Sequence, residues 1–434
     1  MAKYEHVEID AMSREPQQEE NFRYGFLDYM IVAYILFLPV QFQTGLDFNI
    51  APSDIFLVAY LVFGFTRLKF VRHTWSTWHA GLFFTFAMGM VVAIASTGYV
   101  TQYALIQKGI GLVVLFAAYT VITTAATDWT RARWLLRILI LGVLLQNTLA
   151  IIAFSFSKLA GVSFAWINYG DARLSGMLLD PNAYGGLLVL TFSIQTITFF
   201  LKQPLLSRPL AWFANISLGI GIILTYSRSA WIGMAIVLIV NASFAATTFK
   251  PKLMLRLVLV AVFVVVALYM VFGPTFFEAI TSMATRESQI QERFAIIENA
   301  LSMFADSPVF GIGIGVFAET HGMIIHNTPL WVLTEFGLVG FIFFLGFSSW
   351  FVVKGFFTYK SVEERHKPLV LGVILAFLAM MGLSLGIEAL YQRHWWLVMA
   401  LIASSYGIAR REGNTACEAP SSIQGGKSLK EVVG

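Results

Sequence analysis

Apolar runs recur along nearly the whole chain between residues 26 and 409, and this repetition limits the fold more than any other feature. They fall at about 26–43, 54–66, 78–97, 104–126, 134–156, 182–201, 209–226, 229–247, 254–273, 329–353, 368–388 and 394–409. Each is near the ~20 residues that a helix needs to cross a bilayer. Lipid offers no partners for backbone N–H and C=O groups, so the segments must be helices, and a β-barrel would show shorter, alternating segments. Composition agrees: 12% of residues are charged, against about 25% in a soluble domain. The expectation is an all-α polytopic membrane protein of about 12 transmembrane helices. A multi-span domain over 26–410 lies between a polar tail at 1–25 and a second tail at 411–434.

The first tail lacks the basic-then-apolar layout of a cleaved signal. The one cysteine, Cys417, lies in the polar C-terminal tail, so one chain can build neither a disulfide framework nor a cysteine metal site.

Charge distribution sets the sidedness. With the N-terminus in the cytoplasm, inner loops carry Arg67, Lys69 and Arg72; Arg131, Arg133 and Arg137; Lys202 and Arg208; Lys250, Lys252 and Arg256; Lys354, Lys360, Arg365 and Lys367; and Arg410 and Arg411. Outer loops carry only Lys158, Arg173, Arg228, Arg286, Arg293 and Arg393. The positive-inside rule then holds at every short loop. An even number of spans with both termini cytoplasmic is expected. Topology does not favour the outer arginines, so they call for another use.

Four outer segments hold polar groups. Residues 161–182, GVSFAWINYGDARLSGMLLDPN, are too polar to span and carry Asp171, Arg173, Asp180 and Asn182. The Asp-Pro-Asn run reads equally as the cap of the next helix. In LTYSRSAWIG, residues 224–233, two spans meet with almost no loop, which holds Arg228 near the membrane face between Ser227 and Ser229. An ionisable residue at such depth faces a cavity or a partner, or snorkels. The long loop 274–328 contains RESQIQERFAIIENALSMF, an amphipathic helix that could lie flat on the membrane surface, with Phe294, Ile297, Leu301 and Phe304 as its apolar stripe and Arg293 beside it. The last turn, EALYQRHWW, allows Glu388 to pair with Arg393 and makes Arg393 a candidate contact on the acceptor side.

The same long loop ends in PVFGIGIGVFAETHGMIIHNTPLWVLTEFGLVG, residues 308–340. GIGIG follows no strand, so it is no dinucleotide fingerprint. Its glycines permit a tight path with amides free to point at an anion. His321 and His326 are five apart, off the spacing of a helical metal pair, and no third ligand is near. His326 suits a base or hydrogen-bond donor, or sits beside Asn327 as the neighbour of a helix cap.

Arginine forks suit phosphate and pyrophosphate. Arg228 and Arg293 could hold a lipid-linked diphosphate and neutralise it as it leaves, while the His326 imidazole takes a proton from an acceptor hydroxyl. These residues alone also permit a lipid phosphatase, a flippase or an anion transporter. A transporter needs polar groups across the whole membrane, and here the mid-segments are nearly free of ionisable residues, Lys108 being the main exception.

LTYSRSAW, then ERFAIIENALSMFADSPVFGIGIG, then HNTPLWVLTEFGLVGF resemble the bacterial O-antigen ligase and O-antigen polymerase superfamily, as does GMLLDPNAYGGLLVL before them. The similarity covers roughly 165–350. It implies a C-type membrane glycosyltransferase fold in the inner membrane. It also implies metal-independent, inverting transfer of a glycan from undecaprenyl diphosphate at the periplasmic face. Catalytic roles map onto Arg228, Arg293 and His326, with Arg173 a weaker correspondence, and substrate contacts are expected at Arg173, Asp180, Asn182, Asn327 and Arg393. Where the family often carries a polar residue just before the histidine, this chain has Ile324 and Ile325. The expected partners are the lipid-linked donor, a glycan or lipid A core acceptor, membrane lipids and a chain-length regulator, with no nucleic acid, cofactor or metal. The modest outer loop, without an added basic cluster for a phosphorylated core, favours an O-antigen or exopolysaccharide polymerase over a ligase.

Overall fold

The computed structural model describes residues 25–43, 49–68, 71–160, 168–169, 173–201, 203–248 and 287–418. The expected span at 254–273, together with Asp171 and Arg286, lies outside these residues. Each of the other eleven apolar runs is a helix. In chain order they are α1 (Phe26–Leu36), α2 (Pro52–Gly64) and α3 (Thr77–Thr97); a π-helical run (Tyr103–Ile110) leading into α4 (Gly111–Ala125); α5 (Trp129–Ala160), α6 (Pro181–Phe200), α7 (Arg208–Leu224) and α8 (Arg228–Thr248). After the long loop come α9 (Glu287–Asp306), the short α10 (Val316–His321), α11 (Thr328–Ser361), α12 (Lys367–Leu383) and α13 (Arg393–Glu418). Five helical stretches, Thr77–Thr97, Tyr103–Ala125, Trp129–Ser157, Pro181–Phe200 and Thr328–Ser361, are long and apolar enough to cross a membrane. The only strands among the described residues are two-residue pairs, β1 (Phe42–Gln43) with β2 (Asn49–Ile50) and β3 (Asn168–Tyr169) with β4 (Arg173–Leu174), both antiparallel.

α6 is the centre of the bundle. Its most apolar stretch is 94% buried, against 33–44% for the other four candidate spans. It packs chiefly on α12 and also on α7 and α8. A second layer joins α3, α4, α11 and α13 through aromatic rings. Trp396 lies 5.0 Å from Phe116 and 5.7 Å from Phe347, and Phe347 lies 5.0 Å from Phe351. Such pairs add about 0.5–1.5 kcal/mol each beyond the area they bury.

The two ends of the bundle differ. At one end Arg131 pairs with Asp28 at 3.0 Å, and Trp129 donates its indole N–H to Glu412 at 3.0 Å. Trp129 also stacks on His366, centroids 4.4 Å apart. Burial, helped by Arg365 and Arg133, lowers the His366 pKa to about 4. At the other end lie the starts of α2, α6, α8, α11 and α13, and most of the polar residues singled out above.

The expected stripe of α9 is not its packed face. Ile296 and Ala300 are buried against α11, whereas Phe294, Ile297 and Leu301 are exposed.

Candidate active site

The glycine segment is laced into a broken helix. Inside α11, Gly337 has φ +66° and interrupts the helical ladder. The break frees carbonyls on one side and amides on the other. Ile312 N–H donates to the Thr334 carbonyl at 3.1 Å and Gly313 N–H to the Glu335 carbonyl at 3.0 Å. In return, Leu338 N–H reaches the Pro308 carbonyl at 2.9 Å and Val339 N–H the Val309 carbonyl at 3.1 Å. Gly313 needs its glycine twice over. Its φ is +97°, and a Cβ there would come within 2.4 Å of the Ala93 backbone nitrogen.

This arrangement corrects one expectation. The amides of the GIGIG run are not free for an anion. Gly311 N–H donates to the Ser307 carbonyl, Ile314 N–H to the Gly89 carbonyl, and Gly315 N–H to the Glu335 carboxylate at 3.0 Å. The Glu335 side chain that the Gly315 amide meets also accepts from the Trp331 indole at 2.7 Å and is fully buried.

The laced segment fixes where α11 begins. Asn327 caps it, its side chain accepting from Leu330 N–H at 2.9 Å. The Asn327 amide in turn donates to the Leu385 carbonyl at 3.0 Å, and Thr328 is bonded to Ser384, Ile387 and Ala389. The turn between α12 and α13 is thereby clamped to the start of α11. A cavity of about 80 Å³ opens at this junction, lined by Arg293, Ile296, Ile297, Ile325, His326, Asn327, Leu330 and Leu385. Arg293 and His326 are exposed and form no hydrogen bond or ion pair among the described residues. Arg228, the first residue of α8, does not line this cavity. The next residue, Ser229, packs on the turn that lines it: a Cβ on Gly386, next to Leu385, would meet the Ser229 hydroxyl at 2.7 Å. Arg228 is exposed and also unpaired among the described residues, while the Ser227 hydroxyl beside it is buried with no partner among them.

The substrate-contact candidates divide into two groups. Arg173, Asp180 and Asn182 form one network. Arg173 donates from Nε to the Thr225 carbonyl and from Nη2 to the Asn182 side chain, both at 2.9 Å. The Asp180 carboxylate accepts from Asn182 N–H at 2.9 Å and so caps α6, whose first residue is Pro181. The cap reading therefore holds, and the same carboxylate also faces a much larger cavity of about 560 Å³. That cavity is lined by Asp54, Gln107, Asp180, Tyr391, Gln392 and Arg393, among others.

Arg393 does not pair with Glu388, as the short spacing in the sequence suggests. Its fork grips Asp54 of α2 bidentately, at 2.7 and 2.5 Å. Glu388 instead forms a buried ion pair with Lys108. Lys108 lies 4.3–5.0 Å from the ring centroids of Tyr391, Tyr103 and Trp331, a cation held among aromatic faces. His321 packs flat on Phe317, centroids 4.5 Å apart, and lines neither cavity.

Sequence reasoning missed Asp54, Gln107 and Tyr391. A carboxylate in the first turn of an apolar helix is the one signal that pointed to Asp54.

Helices of membrane length that bring Asp54, Asp180, Arg293, His326 and Arg393 to the cavities at one end of their bundle define the class: an all-α membrane protein with a polar site at one face. Residues 213–345 match a family model described as O-antigen ligase, and the chain is similar to the O-antigen ligase and polymerase superfamily over that stretch. The matched stretch is just under a third of the chain, runs from α7 into α11, and contains Arg228, Arg293, His326 and Asn327. Comparison with curated proteins returned no match.

Proposed function

We propose that the chain is an inverting membrane glycosyltransferase that polymerises a surface polysaccharide. In this reading it takes the glycan from undecaprenyl diphosphate at the periplasmic face of the inner membrane. About twelve spans form a C-type fold with both termini in the cytoplasm. The observation that carries the reading is the meeting of Arg293, His326 and Asn327 around one cavity, with Arg228 adjoining Ser229, which packs on the same turn. The similarity of residues 213–345 to O-antigen ligases supplies the substrate class, a lipid-linked glycan and an acceptor.

The step follows from the side chains. The acceptor hydroxyl attacks the anomeric carbon from the side opposite the diphosphate. Its proton passes to the His326 imidazole as the new C–O bond forms. The old bond breaks with both electrons going to the diphosphate oxygen. Arg293 and Arg228 neutralise the charge that builds there, which is the work a divalent cation does in other diphosphate transfers. His326 then releases its proton to water. A cavity of about 80 Å³ has room for about three waters. It can hold a phosphoryl group while the lipid tail stays in the bilayer.

The description of the matched family favours a second reading, a ligase that passes the glycan to lipid A core. Purified protein incubated with undecaprenyl diphosphate glycan, with and without lipid A core, separates the two. Longer lipid-linked chains indicate a polymerase, and glycosylated core indicates a ligase. Arg293→Ala and His326→Ala are expected to abolish product while the protein still inserts and purifies normally. Activity is expected to persist in chelator. Full yield from both variants overturns the assignment.

A further inference from the structure

The small cavity beside His326 can hold a phosphoryl group but not a sugar, so the glycan needs another seat. Cavities that bind small organic ligands run from about 300 to 1,000 Å³. The second cavity, at about 560 Å³, falls within that range. Thr328 clamps the turn that joins α12 and α13, and that turn contributes Leu385 to one cavity and Tyr391, Gln392 and Arg393 to the other.

Its chemistry is selective. Two carboxylates, Asp54 and Asp180, stand against one guanidinium, Arg393, and Asp54 already grips that guanidinium bidentately. The Asp180 Oδ1 takes both bonds from Asn182, and among the described residues Oδ2 is open to accept from a ligand. Gln107 and Gln392 add amides. Ile106, Ile110, Val114 and Leu115 give an apolar floor. Carboxylate and amide groups over an apolar surface suit sugar hydroxyls and ring faces. With no unpaired cation and a net charge of −1 among its lining residues, the cavity repels phosphate esters. The π-helical run Tyr103–Ile110 turns Ile106, Gln107 and Ile110 into this cavity while Lys108 reaches Glu388. Irregular turns of this kind recur at functional sites.

We propose that this cavity, between the Asp54–Arg393 pair and Asp180, seats uncharged sugar residues of the acceptor glycan. The proposal rests on the glycosyl-transfer reading and deepens it. A seat for uncharged sugar suits a growing polysaccharide better than a phosphorylated core.

The test uses the full chain with Cys417→Ser and Ile110→Cys. Ile110 lines the cavity and is 54% exposed, so a thiol there is reachable. Thiol labelling is timed with no glycan, with neutral oligosaccharides of three to five hexose or N-acetylhexosamine units, and with the same oligosaccharides bearing one phosphate ester. Neutral oligosaccharides are expected to slow labelling about tenfold, and phosphorylated ones to have little effect. Cationic reagent is expected to label faster than anionic reagent, relative to a control thiol at Leu301. Separately, Ile110→Trp is expected to raise the acceptor KM about tenfold and to leave kcat at saturating acceptor and the donor KM unchanged. Equal or better protection by phosphorylated sugars overturns the proposal. So does the absence of protection in a preparation that transfers glycan, and there the glycosyl-transfer reading survives. Absence of both protection and transfer overturns the two together.

Discussion

Lys108 and Glu388 offer the sharpest check on the described geometry. Their side chains are 5% and 12% exposed, and they join the start of the α4 segment to the turn between the two cavities. Lys108→Met removes the cation from among three rings and leaves the Glu388 carboxylate buried without its partner. Breaking a buried pair from one side costs about 3–5 kcal/mol. Of that, the cation–ring contacts account for about 1–2 kcal/mol. Glu388→Gln keeps an acceptor oxygen for Lys108 and should cost less, about 1–3 kcal/mol. The double variant Lys108→Met with Glu388→Gln leaves no stranded charge. It should therefore fall short of the sum of the single losses by at least about 2 kcal/mol. Reversible unfolding in mixed micelles by denaturing detergent, followed by tryptophan fluorescence, measures all four corners of the cycle. Single losses that add to within about 0.5 kcal/mol would refute the pairing.

Glu335→Ala strands the Gly315 N–H and the Trp331 indole N–H, each at a cost of about 1–3 kcal/mol. Glu335→Gln keeps one acceptor and should lose roughly half as much, read as the thermal midpoint in detergent; equal midpoints for the two variants would show that the carboxylate bridges nothing. His366 supplies a pH dependence. Its folded pKa of about 4 lies below the ordinary 6.5, so the unfolded chain binds the extra proton first. The stability linked to this group is fully present above pH 6.5 and is lost as pH falls from there to about 4. His366→Phe keeps the stack on Trp129 and should flatten that part of the pH–stability curve; an unchanged slope would assign it to other groups.

The helices were legible because hydropathy is nearly the only requirement lipid imposes on a span. Their ends were less so. α1 stops at Leu36 rather than running to residue 43, with Pro39 just beyond. The break at Gly337 was invisible because FGLVGF sits inside the apolar run at 329–353 like any other part of a span, and without the break nothing shows what the GIGIG amides bond to. Which face of α9 packs on protein was hidden for a related reason. In a membrane protein an apolar side chain can face protein or lipid, so periodicity marks an apolar stripe without saying which neighbour covers it. Arg228, Arg293 and His326 stood out because each is polar in an apolar setting. The pairing of Arg393 with Asp54 did not, since two residues so far apart in sequence meet only once the bundle is assembled.

The burial of α6 bears on how the chain leaves the ribosome. α6 emerges long before α12, which packs most extensively against it, has been synthesised. Its hydroxyls are nonetheless provided for. Thr191, Ser193, Thr196 and Thr198 donate to the carbonyls of Leu187, Val189, Phe192 and Ile194, one turn back on the same helix. Gln195 reaches outside, to the Ala211 carbonyl of α7, the next helix to emerge, and Tyr184 reaches back to Asn147 of α5, which is already made. A segment that quenches its own polarity can enter the translocation channel's lipid gate unaided and wait there for the neighbours that later enclose it.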